Sequence, residues 1–484
     1  MSLGPVGPAI LFALPLAAAI VVFVRPRWSV PVALAAGAVQ FAVALALLGV
    51  VLEQGAWRQS IGGWSAPLGI GWRLDGLAAA LLLMTAAVGL AGAVFHASRP
   101  PPPAVVPDPR FFWPLWLFLW GGLNALFLAA DLFNVYVALE FVSIASVGLI
   151  GLAGGAAQAA ALRYLLATLL GSTIYLLGVA LLYGRYAALD FALLAERVEP
   201  GLVPAIAAAL MTLGLLLKAA IFPLHFWLPA AHGRALPAVS AVLSAVVIAA
   251  AYYLLVRLWF GPLAPLLGTG VATLLGLLGA AAVMWGGLLA LLQRHLKMLI
   301  AYSTMSQFGY GLLVFPLAAA GAVEQAWTGA LVLVLAHGLA KAALFLAAGA
   351  IVLRHGGGRL DALGGDQAGV LIAWVAFAIA SASLVGLPPS GGFLGKWWLA
   401  QAALATGGYL WLAVLMAGTA LTSAYLWRAL QAALRAGGET AAEAPALSPA
   451  LGLCALLLAL GAAALGLAAP MLARLLDAVP GGPG

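Results

Sequence analysis

Charge is scarce in this chain. Aspartate, glutamate, lysine and arginine make up 7% of its 484 residues, against 65% hydrophobic residues, a balance that no single water-soluble core could hide. Lipid must be the solvent, and the chain reads as an all-α polytopic membrane protein. Its net charge of +7 comes from basic residues scattered singly, with no cluster that would suit nucleic acid. Cysteine is nearly absent: Cys454 stands alone in an apolar run, can form no intramolecular bridge and reads as packing. Also missing are a phosphate-binding glycine loop, a cluster of metal ligands and an iron-sulfur cysteine pattern. The expectation is no metal, no cofactor and no redox or hydrolytic centre of its own. The first apolar run has no basic region ahead of it and is followed by Arg25 and Arg27, which suits a retained first span rather than a cleaved signal peptide.

A bilayer core needs about 20 apolar residues per helix. Cut on that rule, the sequence gives fourteen spans, near 5–24, 29–51, 75–96, 111–130, 132–153, 159–182, 203–229, 236–257, 272–292, 298–320, 327–352, 368–404, 408–432 and 449–474. Two are too long for one straight helix, and both are interrupted: 203–229 at Pro223, and 368–404 at "GLPPSGG", which holds Pro388 and Pro389. Such breaks persist in lipid only where the freed backbone faces other protein or a watery cavity. Between the second and third spans, the glycine- and tryptophan-rich stretch from Glu53 to Arg73 reads as a small hairpin or cap.

Basic residues orient the spans. The odd-numbered loops hold twelve (Arg25, Arg27, Arg99, Arg110, Arg163, Arg234, Arg294, Lys297, Arg354, Arg359, Arg428 and Arg435). The even loops and the tail hold six (Arg58, Arg73, Arg185, Arg197, Arg257 and Arg474). Positive-inside bias then puts the odd loops in the cytoplasm and both termini outside. Counting 368–404 as two spans would move Arg428 and Arg435 across and leave ten against eight, so the bias favours one broken span there.

The three basic residues left over are all lysines within spans: Lys218, Lys341 and Lys396, of only four lysines in the chain. Arginine keeps its proton at any working pH, whereas a desolvated ammonium gives its proton up far more readily. Among the acids, twelve fall in loops, at span ends or in the tail: Glu53, Asp75, Asp108, Asp190, Glu196, Glu199, Glu324, Asp361, Asp366, Glu439, Glu443 and Asp477. Asp131 sits at the junction of the fourth and fifth spans, and only Glu140 is clearly inside one. A lone charge at that depth costs a few kcal/mol, so Glu140 and Lys218 are the natural pair, either as a fixed clamp or as a working one. In the eleventh span, His337 and Lys341 are four residues apart, on one helix face. Lys396 follows the second break beside Trp397 and Trp398, and His225 follows Pro223 by two residues. The broken seventh and twelfth spans run in opposite directions and each has a lysine near its break, the pattern of inverted repeats. Spans 4–8 and 9–13 would be the two five-helix units, dividing the chain into 1–110, 111–257, 264–432 and 433–484.

The stretches "DLFNVYVALE", "LKAAIFPLHFWLP", "LKMLIAYSTMSQFGYG", "HGLAKAALF" and "GLPPSGGFLGKWW", in this order over roughly residues 75–430, resemble the antiporter-like subunits shared by respiratory complex I, membrane-bound hydrogenases and Mrp-type cation/proton antiporters. The resemblance implies fourteen helices, two inverted repeats and a chain of buried polar residues. It implies that Glu140 and Lys218 are the family's fifth-span glutamate and seventh-span lysine, Lys396 its twelfth-span lysine, and His337 and Lys341 its eleventh-span polar positions. In the eighth span Ala249 stands where the family commonly carries a lysine or histidine. A relay across that gap would need water, Tyr252 or Tyr253, or another route.

The mechanism implied is electrostatic: a Glu140–Lys218 pair opens and closes, and a proton moves toward His337, Lys341 and Lys396. Energy must then arrive through partner subunits. Three readings follow. The first is an ion-translocating subunit of a multisubunit antiporter, which "DLFN" and the short chain favour by likeness to the Mrp D-type subunit. Second is the same fold in a redox complex such as an NADH:quinone oxidoreductase or hydrogenase, where the tail of ten residues after Arg474 speaks weakly against the subtype that braces a redox arm with a long lateral helix. The third is a structural subunit with a degenerate channel. Protons are the expected cargo, with sodium or potassium open as the exchanged cation, in the cytoplasmic membrane of a bacterium or archaeon.

Overall fold

The computed structural model describes residues 3–100, 109–364, 369–435 and 447–477. The expected loop acids Asp108, Asp366, Glu439 and Glu443 lie outside the described residues. Two long apolar helices, α1 (Leu3–Val24) and α2 (Ser29–Gln54), open the chain. The hairpin expected at 53–73 follows: β1 (Trp57–Ser60) pairs antiparallel with β2 (Gly71–Leu74), Trp57 opposite Leu74. The second strand runs into Asp75, whose carboxylate accepts the Ala78 amide at 3.0 Å and caps α3 (Gly76–Ala97). Next come α4 (Phe112–Leu128), α5 (Leu132–Gly151), α6 (Ala156–Tyr186) and the short α7 (Phe191–Arg197). Asp131 and Asp190 cap α5 and α7 through side-chain bonds to the second and third amides, which supplies acceptors for N–H groups the helix cannot satisfy. Ala130 donates to the Gly71 carbonyl at 3.2 Å, Asp131 bridges to Asp190, and Arg58 pairs with Asp190 at 3.1 Å. The hairpin and the two loops therefore form one bonded cover over an end of the bundle.

The seventh span is α8 (Leu202–Lys218) followed by the short α9 (Leu228–Arg234). The helix stops at Lys218, five residues before Pro223, because a Schellman motif closes it: Ile221 donates to Leu216 and Ala220 to Leu217, at 3.1 and 3.2 Å. Ala220 takes the left-handed position at φ +50°. The twelfth span, α16 (Leu371–Val385) and α17 (Gly391–Ala405), ends its first half in the same way. There Leu387 donates to Ala382 and Gly386 to Ser383, with Gly386 at φ +92°. In both breaks a proline stands three residues after the left-handed one, Pro223 and Pro389. A side chain with a Cβ in that conformation costs about 1 kcal/mol that glycine avoids. Ala220→Gly is expected to raise thermal stability in detergent by about 1 kcal/mol, and Gly386→Ala to lower it by at least as much. Opposite or equal shifts in melting temperature would contradict the shared motif.

Between the breaks lie α10 (Pro237–Val242), a π-helical stretch (Leu243–Val247), α11 (Ile248–Trp259) and α12 (Thr269–Leu292). The expected tenth span is interrupted, as α13 (Leu296–Gly311) and α14 (Val314–Ala319). The eleventh is α15 (Val323–His355), and after the second break come α18 (Tyr409–Leu434), α19 (Pro449–Ala464) and α20 (Ala469–Asp477). Eleven helices among the described residues are long and apolar enough to cross a membrane, and α4, α8 and α16 are shorter apolar helices. In an apolar stretch of 18 residues, 94% of the residues are buried in Pro237–Trp259 and in α15, against 44% in α6 and in α12. The first two are thus the inner wall of the bundle, and the others keep an apolar face outward.

Candidate functional site

Lys218 is the last residue of α8 and is buried. Its ammonium donates to Ser143 Oγ on α5 at 3.0 Å and to Thr168 Oγ1 on α6 at 2.6 Å, and those two oxygens are 2.7 Å apart. Glu140 lies one turn before Ser143 on α5, but it makes no ion pair with Lys218, and its Oε1 is buried without a hydrogen-bond partner. The expected partner is thus displaced by the next hydroxyl along the same helix. Leu217, beside Lys218, gives its carbonyl to the indole N–H of Trp227 at 2.9 Å, which closes the helix end inside the break. His225 is half-buried near the Phe222 ring, at 5.9 Å between centroids, with Nδ1 unpartnered.

Lys341 is completely buried on α15. Its ammonium donates to the Ile300 carbonyl at 3.0 Å and, very closely, to Ser303 Oγ, both on α13. His337, one turn earlier, is buried with both ring nitrogens unpartnered, and its ring stands edge-on to Phe308 at 4.5 Å. Beside it, Ser244 in the π-helical stretch shares a 2.8 Å hydrogen bond with Thr304 of α13. A π turn adds a residue and frees backbone groups, and such turns concentrate at working sites. Ala249 is buried just beyond it.

Lys396, on α17, reaches back across the second break. It donates to the carbonyls of Leu384 and Val385, at 2.9 and 3.1 Å, and to Thr419 Oγ1 at 3.2 Å, while sitting 4.8 Å over the Tyr310 ring. A cation on the last carbonyls of α16 meets the negative end of the helix dipole, and the position is buried, not snorkelled toward Trp397. Among the described residues, no carboxylate forms an ion pair with any of these three lysines.

Tyr252 and Tyr253 are both committed to backbone: Tyr252 donates to Gly311 at 2.9 Å and Tyr253 to Phe127 at 3.2 Å. The Tyr253 ring also lies 4.9 Å under the guanidinium of Arg257. Arg257, read from the sequence as a loop charge, is instead buried in α11 and closely paired with Asp75, which Arg73 holds from the other side at 3.0 Å. Burial pushes the Asp75 carboxyl up, but Arg257, by charge and hydrogen bond, and then Arg73 hold it below the ordinary 3.8. Asp131 has no such partner, and burial raises it despite hydrogen bonds from Asn134 and Phe133. Lys297, also read as a loop charge, begins α13 and donates to the Ala235 carbonyl at 2.5 Å.

Sequence reasoning passed over His232. It is fully buried in α9, with Nδ1 3.1 Å from the Leu228 carbonyl and Nε2 unpartnered. Its ring lies between Trp227 and Phe345, at 6.3 and 5.9 Å, and so between the end of α8 and the helix that carries Lys341. The hydroxyls that hold the lysines, Ser143, Thr168, Ser303 and Thr419, were missed as well. A serine or threonine inside an apolar run is so common that only its tertiary partner marks it.

The family described as NADH:quinone oxidoreductase/Mrp antiporter, TM, matches residues 129–422, which contain every one of these lysines and histidines. The chain belongs to this family. It is 34% identical over 447 residues to NADH-quinone oxidoreductase subunit N of Desulforudis audaxviator, covering 89% of this chain and 87% of the relative. It is 30% identical to the D-type Na(+)/H(+) antiporter protein of Bacillus subtilis, over 77% of this chain and 75% of that one. A chain in the solved Mrp complex from Dietzia sp. DQ12-45-1b superimposes with a TM-score of 0.87 at 28% identity, over 98% and 96% of the two chains. The protein is therefore an antiporter-like membrane subunit of the Mrp or complex I type, homologous to subunits of multisubunit membrane complexes. Lys218 and Lys396 lie at the two breaks, and His337 and Lys341 lie on α15, one of the two inner helices.

Proposed function

We propose that this subunit carries protons, alone or in exchange for sodium or potassium, across a bacterial or archaeal cytoplasmic membrane as the Mrp D-type member of a multisubunit complex. One observation carries the reading: Lys218, Lys341 and Lys396 are buried, yet among the described residues their ammonium groups donate hydrogen bonds to hydroxyl and carbonyl oxygens and form no ion pair with a carboxylate. A lysine kept as a structural clamp would have its charge cancelled by a carboxylate. One held by neutral oxygens can release its proton without leaving an uncompensated buried acid. Glu140, with Oε1 open one turn from Ser143, supports a pair that forms and opens as the ammonium swings between hydroxyls and carboxylate. From Lys218 the proton passes toward His337, Lys341 and Lys396. His232, buried between Trp227 and Phe345, offers a titratable group where Ala249 removes one.

The eleven long helices and the shorter α4, α8 and α16 support fourteen crossings with both termini outside, α9 and α17 completing the two broken spans. Matched Schellman motifs at Ala220 and Gly386 support inverted repeats within 111–257 and 264–432. The identity to an N-type oxidoreductase chain favours a second reading, the same role in a redox-driven complex, and the proteins that co-purify with the chain decide between the two. The transport role is tested by reconstituting the assembled complex in liposomes and following a pH-sensitive dye. Glu140→Gln and Lys218→Ala are expected to remove proton flux, and parental flux in correctly assembled variants would reject it.

A further inference from the structure

We propose that a line of hydroxyl groups shared by α13 and α18 carries the proton between Lys341 and Lys396. The line is Ser303, Tyr425, Thr422, Tyr310 and Thr419, with Gln307 as a positioning residue, and the proposal rests on the transport reading above. It begins where the Lys341 ammonium donates to Ser303, which faces the Tyr425 hydroxyl. Tyr425 donates to Thr422 at 3.3 Å. Tyr310 Oη is hydrogen-bonded to neither Thr422 nor Thr419 but lies near both, pressed so closely to α18 that a Cβ on Gly418 would come within 2.3 Å of it. The last link is the 3.2 Å bond from Lys396 to Thr419.

The spacing on α13 is 303, 307 and 310, one helix face, and its three polar side chains are buried against α18. Five hydroxyls and an amide are costly to bury unsatisfied. Ser303 and Thr422 donate to the carbonyls of Ile300 and Gly418, at 2.9 and 2.8 Å, and must turn from them to pass a proton along the line. Other valences of the set stay open. Gln307 Nε2 donates to Thr422 at 3.0 Å and to Tyr425 at 3.3 Å, but its Oε1 has no partner, and neither has Tyr310 Oη. A static polar knot would close these valences. A relay needs one open, because each hydroxyl that accepts a proton from one neighbour and hands its own to the next ends with its O–H reversed and must turn back. Tyr310, with no bond to break, is the joint that turns. The balance is simple: the Lys341 ammonium loses one proton and becomes an amine, every hydroxyl ends neutral, and the Lys396 amine gains one. Gln307 cannot pass a proton as an amide and fixes the two oxygens it touches.

The test uses the assembled complex in liposomes. Tyr425→Phe and Tyr310→Phe keep the rings and remove only the hydroxyls. Each is expected to lower proton flux by about tenfold or more with the composition of the complex unchanged, while Thr422→Ser retains flux and Thr422→Val loses it. A merely structural threonine would not separate serine from valine in this way. Parental flux in the Tyr310→Phe, Tyr425→Phe double variant, with Lys396→Met inert, would overturn the hydroxyl line, leave the transport reading standing, and assign the step to water alone. Parental flux in Lys396→Met would overturn the transport reading and this proposal with it. If the phenylalanine variants fail to assemble, parental flux in Thr422→Val overturns the line by itself.

Discussion

Lys341→Met is expected to assemble at least as well as the parent and to transport protons at least about a hundredfold more slowly. The two effects separate because of how the site is built. Lys341 is wholly buried, and its charge is offset only by the Ile300 carbonyl and the Ser303 hydroxyl, so the folded chain bears most of the cost of desolvating an ammonium. Methionine fills nearly the same volume without that cost. Nor does it leave orphans, since Ser303 already donates to Ile300 at 2.9 Å and the two groups can satisfy each other when the lysine is gone. Thermal unfolding of the purified protein beside flux in liposomes checks both halves. A variant that melts earlier and still transports would reverse the account, making Lys341 a structural group.

Asp75→Asn is expected to do the reverse, destabilising the chain by about 3–5 kcal/mol through the loss of one partner in a buried charge cluster. Asparagine caps a helix about as well as aspartate, so the Ala78 bond survives and the cost isolates the ion pairs with Arg257 and Arg73. Arg257, buried in the last turn of α11, would then be left without the Asp75 carboxylate. The pH dependence has a definite sign. Because the folded carboxyl lies below 3.8, its contribution is complete above that value and is lost only as pH falls through the folded pKa. The difference in melting temperature between parent and Asp75→Asn is therefore expected to be constant from neutral pH to about pH 5. A difference that vanishes above pH 5 would show that the cluster is not what stabilises this end of the bundle.

Local signals were legible in the sequence, and tertiary ones were not. The hairpin, the two broken spans and the three buried lysines follow from turn residues, prolines and the cost of charge in lipid, all readable along the chain. Where a helix stops near its proline depends on the closing motif, so the seventh span ends at Lys218 and not at Pro223. The tenth span breaks at Leu312, four residues before Pro316, which cannot donate to the Leu312 carbonyl, so a proline marks that break as well, whereas the π-helical stretch at Leu243–Val247 has no composition of its own. Partners were hardest. Lys218 had one carboxylate within reach on paper, but a lysine stem at the end of α8 meets Ser143 and Thr168 first. Asp75, Arg73 and Arg257 were each reasonable as loop charges, and only the packing of the hairpin against α3 and α11 makes them a cluster. His232 looked like part of a connecting loop because its helix is one that only tertiary structure holds.

The central claim is that the buried lysines work by releasing protons and not merely by being positive. Lys396→Arg tests it most directly. Arginine keeps the charge and can still donate to the Leu384 and Val385 carbonyls, but it does not give up its proton at any working pH. Proton flux through the assembled complex in liposomes is expected to fall to background in Lys396→Arg, as in Lys396→Met. Flux at the parental rate in Lys396→Arg, with flux lost in Lys396→Met, would contradict the account and leave Lys396 as a fixed charge at the end of α16.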